Sequence, residues 1–191
     1  MNKEFQKKLL KESYEALNWD IQTTEALENL AIQILSAIKH KKIVFAFGNG
    51  GSASEADHFI GEFTSACKIP HEPWRGVSLS SNSATFTSIA NDFGFENTYS
   101  RQIEAQVNPG DIVIALSTSG ESSNIKKALY LAAEITPGNV YLLTSIKYSN
   151  VKPVANVNII RVPSCITSRI QEMHLLWLHG IIEYCEQEMT N

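Results

Sequence analysis

Leu27, Leu30, Ala31, Ile34, Leu35 and Ile38 recur at spacings of three and four, the period of a helix with one buried face. The pattern predicts helix throughout residues 1–42. It changes at Ile43-Val44-Phe45-Ala46-Phe47, a continuous apolar run closed by Gly48-Asn49-Gly50-Gly51. Such a run predicts a buried strand entering a tight turn. A helix is expected over 52–67, a short strand over 76–80, and helical stretches over 84–91 and 96–107. Asp111-Ile112-Val113-Ile114-Ala115-Leu116 predicts a third strand, ending in Ser117-Thr118-Ser119-Gly120 and opening a helix over 122–134. A fourth strand is expected over 140–144, a fifth over 157–162, and a last helix from Thr167 to Glu188.

Strands that alternate with helices and are apolar on both faces predict a parallel sheet covered on both sides. The expected fold is therefore α/β, a three-layer α/β/α sandwich on a five-stranded parallel sheet. No linker, repeat or low-complexity segment interrupts the pattern. Residues 1–191 read as one domain, with 1–42 as an N-terminal helical segment.

Composition narrows the functions open to this chain. Its 191 residues are 43% hydrophobic, enough for one full core. The net charge is −4, and the basic residues cluster only at His40-Lys41-Lys42. That excludes the basic stripe of a nucleic-acid binder. No apolar run reaches the ~18 residues of a membrane span, and the charged, polar N-terminus is no secretory signal. Cys67, Cys165 and Cys185 are odd in number and widely spaced, forming neither a disulfide framework nor a zinc knuckle. A reduced, cytoplasmic setting is expected.

In an open α/β sheet, ligands bind where strand ends meet helix starts. Two such turns carry unusual chemistry. In Gly48-Asn49-Gly50-Gly51-Ser52 the glycines let the backbone come close to a ligand. Ser52 sits near a helix start, where free N–H groups and the helix dipole favour an anion. In Ser117-Thr118-Ser119-Gly120-Glu121-Ser122, hydroxyls crowd a second helix entry. Neither turn has the Walker lysine or the dinucleotide glycine spacing. Each alone reads equally as helix capping and turn chemistry. Together, at two strand ends of one sheet, they favour a phosphate site.

The helix after the first turn carries His58 and Glu62 on one face. The pair can present an imidazole and a carboxylate to a metal ion, or a base to a substrate; it can also be a solvated face. The last helix carries Gln171, His174 and His179, with His174 readable as a packing partner. Gln171 and His179 lie ~12 Å apart along a straight helix. If both serve one site, the helix is distorted or two subunits contribute.

These residues resemble a known family. Phe47-Gly48-Asn49-Gly50-Gly51-Ser52-Ala53, then Asp57-His58-Phe59 and Glu62, is similar to the opening motif of phosphoheptose isomerases, within the wider sugar isomerase (SIS) domain family. So are Ala90-Asn91-Asp92-Phe93-Gly94-Phe95 with Ser100-Arg101-Gln102, the run from Leu116 to Asn124, and Arg169-Ile170-Gln171-Glu172-Met173-His174 with His179 beyond it. The resemblance implies a flavodoxin-like fold, a homotetramer with sites between subunits, and zinc, one per subunit. It implies conversion of sedoheptulose 7-phosphate to D-glycero-D-manno-heptose 7-phosphate for lipopolysaccharide or capsule. It implies that Ser52, Ser117, Thr118, Ser119 and Ser122 hold the phosphate and that Asn49 and Asp92 contact the sugar, with Gly50, Gly51 and Gln171 also binding substrate. His58, Glu62, Gln171 and His179 would hold zinc, with Glu62 and His179 as the acid–base pair.

The chain departs from that family at Ala66, where many members carry Arg. It departs at Ser164-Cys165-Ile166-Thr167-Ser168, where many carry Asp, and at residues 145–150, which replace a Gly-Gly loop. These departures touch the choice of sugar phosphate more than the reaction. Some relatives are non-catalytic tetrameric partners of the replication initiator DnaA, but they lack the Glu and the final His. SIS-domain regulators carry a DNA-binding domain that the short N-terminal segment does not resemble.

Overall fold

The computed structural model describes residues 2–146 and 155–190. Five strands, β1 (Val44–Gly48), β2 (Gly76–Ser78), β3 (Ile112–Leu116), β4 (Val140–Ser145) and β5 (Val157–Val162), form one sheet in the order β2-β1-β3-β4-β5. Every pairing is parallel. This is the flavodoxin-like doubly wound order.

Alternation along the strands builds two cores. Val44 and Ala46 of β1, with Ile112, Ile114 and Leu116 of β3, face α2 (Ile21–Lys39), α3 (Gly51–Thr64) and α7 (Thr167–Thr190). Phe45, Phe47, Val113 and Ala115 face α5 (Ser100–Gln106) and α6 (Ser123–Ile135). The three central strands are buried throughout, as expected of strands covered on both sides. β2 and β5 sit at the sheet edges and are only partly buried.

The helical stretch expected over 1–42 consists of two helices, α1 (Lys3–Leu17) and α2. The break follows from capping. Asp20 accepts the Thr23 N–H at 2.8 Å and starts a new helix. Trp19, between the two, packs edge-on against Trp177 of α7 with ring centroids 5.7 Å apart. The stretch expected over 96–107 is likewise a 3₁₀ turn (Phe95–Asn97) followed by α5. It is preceded by α4 (Ser83–Phe93), whose C-cap Gly94 takes φ +90.

Candidate active site

The sheet order reverses between β1 and β3, which pair side by side. From their C-terminal ends the chain leaves to opposite faces, through the glycine turn into α3 and through the Ser/Thr turn into α6. This is the switch-point crevice of a doubly wound sheet. Gly50, at φ +58, turns the chain into α3 in a conformation that side-chain-bearing residues rarely adopt. No side chain caps α3, and Ser122 does not cap α6. Helices α1, α2 and α4 are capped by Asn2, Asp20 and Asn82. At the entry of α3 the Ser52 and Ala53 N–H groups go to the Asn49 and Gly50 carbonyls, and at that of α6 the Ile125 N–H goes to Asn124 Oδ1. The first N–H groups of the two helices, those of Gly51, Ser123 and Asn124, are left at the crevice, the arrangement that receives an anion.

The hydroxyls of the second turn face both ways. Ser117 Oγ accepts the Gly120 N–H at 3.1 Å, and Ser119 Oγ accepts that of Glu121 at 3.2 Å. Each keeps its own proton to donate. Thr118 is held by its carbonyl, which accepts the Ser145 hydroxyl at 2.8 Å. Ser52 is buried, with its Oγ 3.5 Å from the Gln171 amide nitrogen. Beside the glycine turn lies a cleft of about 300 Å³ walled by Phe86, Phe95 and Tyr99.

Asn49 forms a reciprocal amide pair with Asn124 of α6, both bonds 2.9 Å. Asn124 also donates to Thr98 Oγ1 at 3.2 Å. Asn49 thus ties the first turn to the helix that follows the second. Tyr99 donates its hydroxyl to the Gly48 carbonyl, bracing the same turn from below; burial raises its pKa. The sequence motifs contained Asn124 without assigning it a role, and Tyr99 fell outside them. Their signal is spatial, since Asn124 and Asn49 are 75 residues apart.

The remaining candidates lie between α3 and α7. His58 Nε2 and His179 Nε2 are 2.9 Å apart. Glu62 Oε1 lies 3.5 Å from the first and 3.6 Å from the second. All three donor atoms fall within 4.8 Å of one another. Glu62 is largely buried, and its Oε2 has no hydrogen-bond partner. The i, i+4 spacing on α3 brings the first two side chains together, and α7 supplies the third.

Helix α7 is continuous over Thr167–Thr190, so Gln171 and His179 stand about two turns apart on it. Gln171 lies at the glycine turn beside Ser52. A Cβ on Gly51 would come within 2.4 Å of its Nε2, so any larger residue would push the Gln171 amide aside. Asp92 is exposed at the end of α4, where it accepts a bond from Asn91 at 2.7 Å; it is not among the residues lining the cleft.

Residues 11–145 match the SIS domain family. A phosphoheptose isomerase of Helicobacter pylori is 35% identical over 193 aligned positions, covering 100% of this chain and 96% of the relative. A probable phosphoheptose isomerase of Thermoplasma acidophilum is 36% identical, covering 95% and 98%.

The chain belongs to the phosphoheptose isomerase family.

Two solved phosphoheptose isomerases agree in fold. That of Francisella tularensis superposes with a TM-score of 0.84 at 26% identity, covering 98% of this chain and 100% of its own. That of Neisseria gonorrhoeae gives 0.77 at 28%, covering 96% and 99%. Within this family frame, the departures fall at separate places. Ala66 follows the end of α3, Ile166 is exposed just before α7, and residues 147–150 of the third departure lie outside the described residues.

Proposed function

We propose that this phosphoheptose isomerase family member interconverts sedoheptulose 7-phosphate and D-glycero-D-manno-heptose 7-phosphate, in the cytoplasm, for lipopolysaccharide or capsule heptose. The observation that carries the reading is the convergence of His58, Glu62 and His179 on the helix pair whose N-terminal end meets the anion-receptive turns. The two turns take the phosphate through Ser52, Ser117, Thr118, Ser119, Ser122 and the free helix N–H groups. Asn49 and Asp92 are the proposed sugar contacts. From Ser52 to His58 and Glu62 the axial rise is roughly 9 and 15 Å, a span that suits an extended seven-carbon chain better than a short one.

Moving the carbonyl from C2 to C1 requires a proton removed from C1 and one delivered to C2, through an enediol. Glu62 takes the first. His179 delivers the second or exchanges protons with the neighbouring oxygens. The chain retains both groups, which favours an enzyme over a binding protein of the same fold.

Two imidazole nitrogens and a carboxylate oxygen are a zinc-type donor set. Their separations of 2.9, 3.5 and 3.6 Å suit the roughly 3.3 Å edges of a tetrahedron with bonds of about 2.05 Å. His58, Glu62 and His179 would hold the ion; Gln171, the further ligand the family resemblance implies, is about two turns from His179 on an unbroken α7 and would reach it only from another subunit. When bound, zinc supplies Lewis-acid stabilisation of negative charge on the sugar oxygens.

The proposed assembly is a homotetramer of single SIS-domain chains with sites between subunits. An apolar groove of about 550 Å³ between α2 and α7 supports it. Ile32, Leu176 and Tyr184 line that groove while 53%, 44% and 37% exposed. Light scattering on the purified protein tests the assembly; a monomer at micromolar concentration overturns it.

The deciding experiment for the reaction is turnover of sedoheptulose 7-phosphate, with and without zinc, followed by NMR. Formation of the aldoheptose 7-phosphate supports the assignment. No product from folded, zinc-loaded protein moves it to another sugar phosphate or to a binding role.

A further inference from the structure

The seam between α3 and α7 is a ladder of polar rungs. Ser52 meets Gln171 at one end. His58 and Glu62 meet His179 further along. Beyond α3, Glu186 accepts the backbone N–H groups of Cys67, Lys68 and Ile69 at 2.7, 3.0 and 3.0 Å. One rung has no place in the chemistry described so far: Glu55 and His174.

Glu55 Oε2 and His174 Nδ1 face each other at 4.0 Å. Both atoms are buried without a hydrogen-bond partner. His174 is fully buried, and Glu55 is 12% exposed. Leaving two such atoms unpaired is unfavourable, and a small side-chain rotation closes the gap. His174 already spends its other nitrogen: Nε2 lies 3.3 Å from the Thr144 carbonyl, so it carries the ring proton and leaves Nδ1 as an acceptor. The complementary partner is a protonated carboxyl. Burial supplies one, pushing Glu55 up to about 7. Burial also lowers His174 to about 4, which keeps the ring neutral.

The pair sits in the middle of a longer path. At one end Glu55 stands three residues along α3 from Ser52, whose side chain, in the glycine turn, is near enough to lower the Glu55 carboxyl against the effect of burial. At the other, His174 holds the Thr144 carbonyl at the end of β4. The next residue, Ser145, donates to the Thr118 carbonyl in the Ser/Thr turn. Glu55, His174, Thr144 and Ser145 thus lie in line between the two turns through the protein interior.

We infer that Glu55 and His174 are positioning residues, a neutral hydrogen-bonding pair that sets the spacing between the two anion-receptive turns. The inference rests on the phosphate-site reading above. Glu55 touches no reacting atom in it. Its role is to hold Ser52 and, through His174 and β4, Thr118 in one fixed arrangement, so that a phosphate meets both turns without reorganising them.

The test is a comparison of Glu55→Gln, Glu55→Leu and His174→Phe in the full-length protein. Inorganic phosphate binding is read by titration calorimetry, and KM and kcat with sedoheptulose 7-phosphate. Gln keeps a neutral donor at position 55; Leu and Phe remove the bond at similar volume. Glu55→Leu and His174→Phe are expected to weaken phosphate binding and raise KM about tenfold, with kcat nearly unchanged, the scale of one or two lost hydrogen bonds. Glu55→Gln is expected to stay near wild type. Should Leu or Phe fail to fold, Ser145→Ala cuts the path at its far end and is expected to raise KM with kcat held. Wild-type affinity in the folded Leu and Phe variants, or equal loss in Gln and Leu, overturns the inference. Wild-type protein that binds no phosphate instead overturns the phosphate site itself, and the inference with it.

Discussion

His58 and His179 bring their Nε2 atoms to 2.9 Å across the α3–α7 seam, with the rings nearly perpendicular at 86°. At that distance at most one nitrogen carries a proton toward the other, and two lone pairs would repel unless a cation lay between them. Glu62 adds a negative oxygen on the same side. A shared cation resolves all three demands. Zinc titration of chelator-treated protein is expected to give one site per chain. His179→Ala is expected to weaken it by more than the roughly 10–100-fold that an outer-sphere change costs. Equal zinc affinity in the variant would place the ion elsewhere.

Glu62→Gln keeps the shape of the side chain and removes its basicity. Because Glu62 Oε2 is buried and unpaired, the amide finds room and the fold is expected to survive. A general base contributes about 10²–10⁴-fold, so kcat is expected to fall at least a hundredfold while circular dichroism stays unchanged. Substantial turnover in the folded variant removes Glu62 from the proton transfer.

Ser119 uses its oxygen to accept the Glu121 N–H at 3.2 Å and keeps its proton for a ligand. Ser119→Ala is expected to weaken substrate binding by roughly 0.5–1.5 kcal/mol, the net value of one neutral hydrogen bond. KM measured against wild type checks it, and an unchanged KM excludes Ser119 from the phosphate contacts.

Much of this was legible in the sequence because it is written in local signals. The run Val44–Gly48 and its glycine turn, and the spacing of His58 to Glu62, depend on neighbours one to four residues away. That both turns stand at strand ends of one sheet was inferable from the alternation of strands and helices; that β1 and β3 are neighbours was not. What stayed hidden is long-range or a matter of capping. Asn49 faces Asn124, and Glu55 faces His174 across 119 positions, contacts that no periodicity announces. Asp20 divides the N-terminal helix because its carboxylate outcompetes helix continuation, a local signal submerged in a long apolar repeat. Gln171 was grouped with His179 by resemblance, yet its amide rests against Ser52. An unbroken α7 separates the two side chains by geometry that residue types do not reveal.

The Glu55–His174 pair also makes a pH prediction with a defined sign. Burial raises Glu55 from 4.5 to about 7, so between these values the folded chain holds a proton that the unfolded chain has released. Its contribution to stability is full below pH 4.5 and is lost as pH rises to 7. Burial lowers His174 from 6.5 to about 4, so between those values the unfolded chain holds the extra proton. That contribution is full above pH 6.5 and is lost as pH falls to 4. In the wild type the two slopes oppose each other between pH 4.5 and 6.5 and largely cancel. Glu55→Gln removes one of them. Relative to wild type, its stability is expected to gain steadily from pH 4.5 to 7 and then level off, by a total on the order of 3 kcal/mol. For a chain of this length that is a shift of several degrees in Tm. Calorimetric melting of both proteins at pH 5, 6, 7 and 8 measures it, and a Tm difference that stays constant across the series would show that Glu55 is not held neutral by its burial.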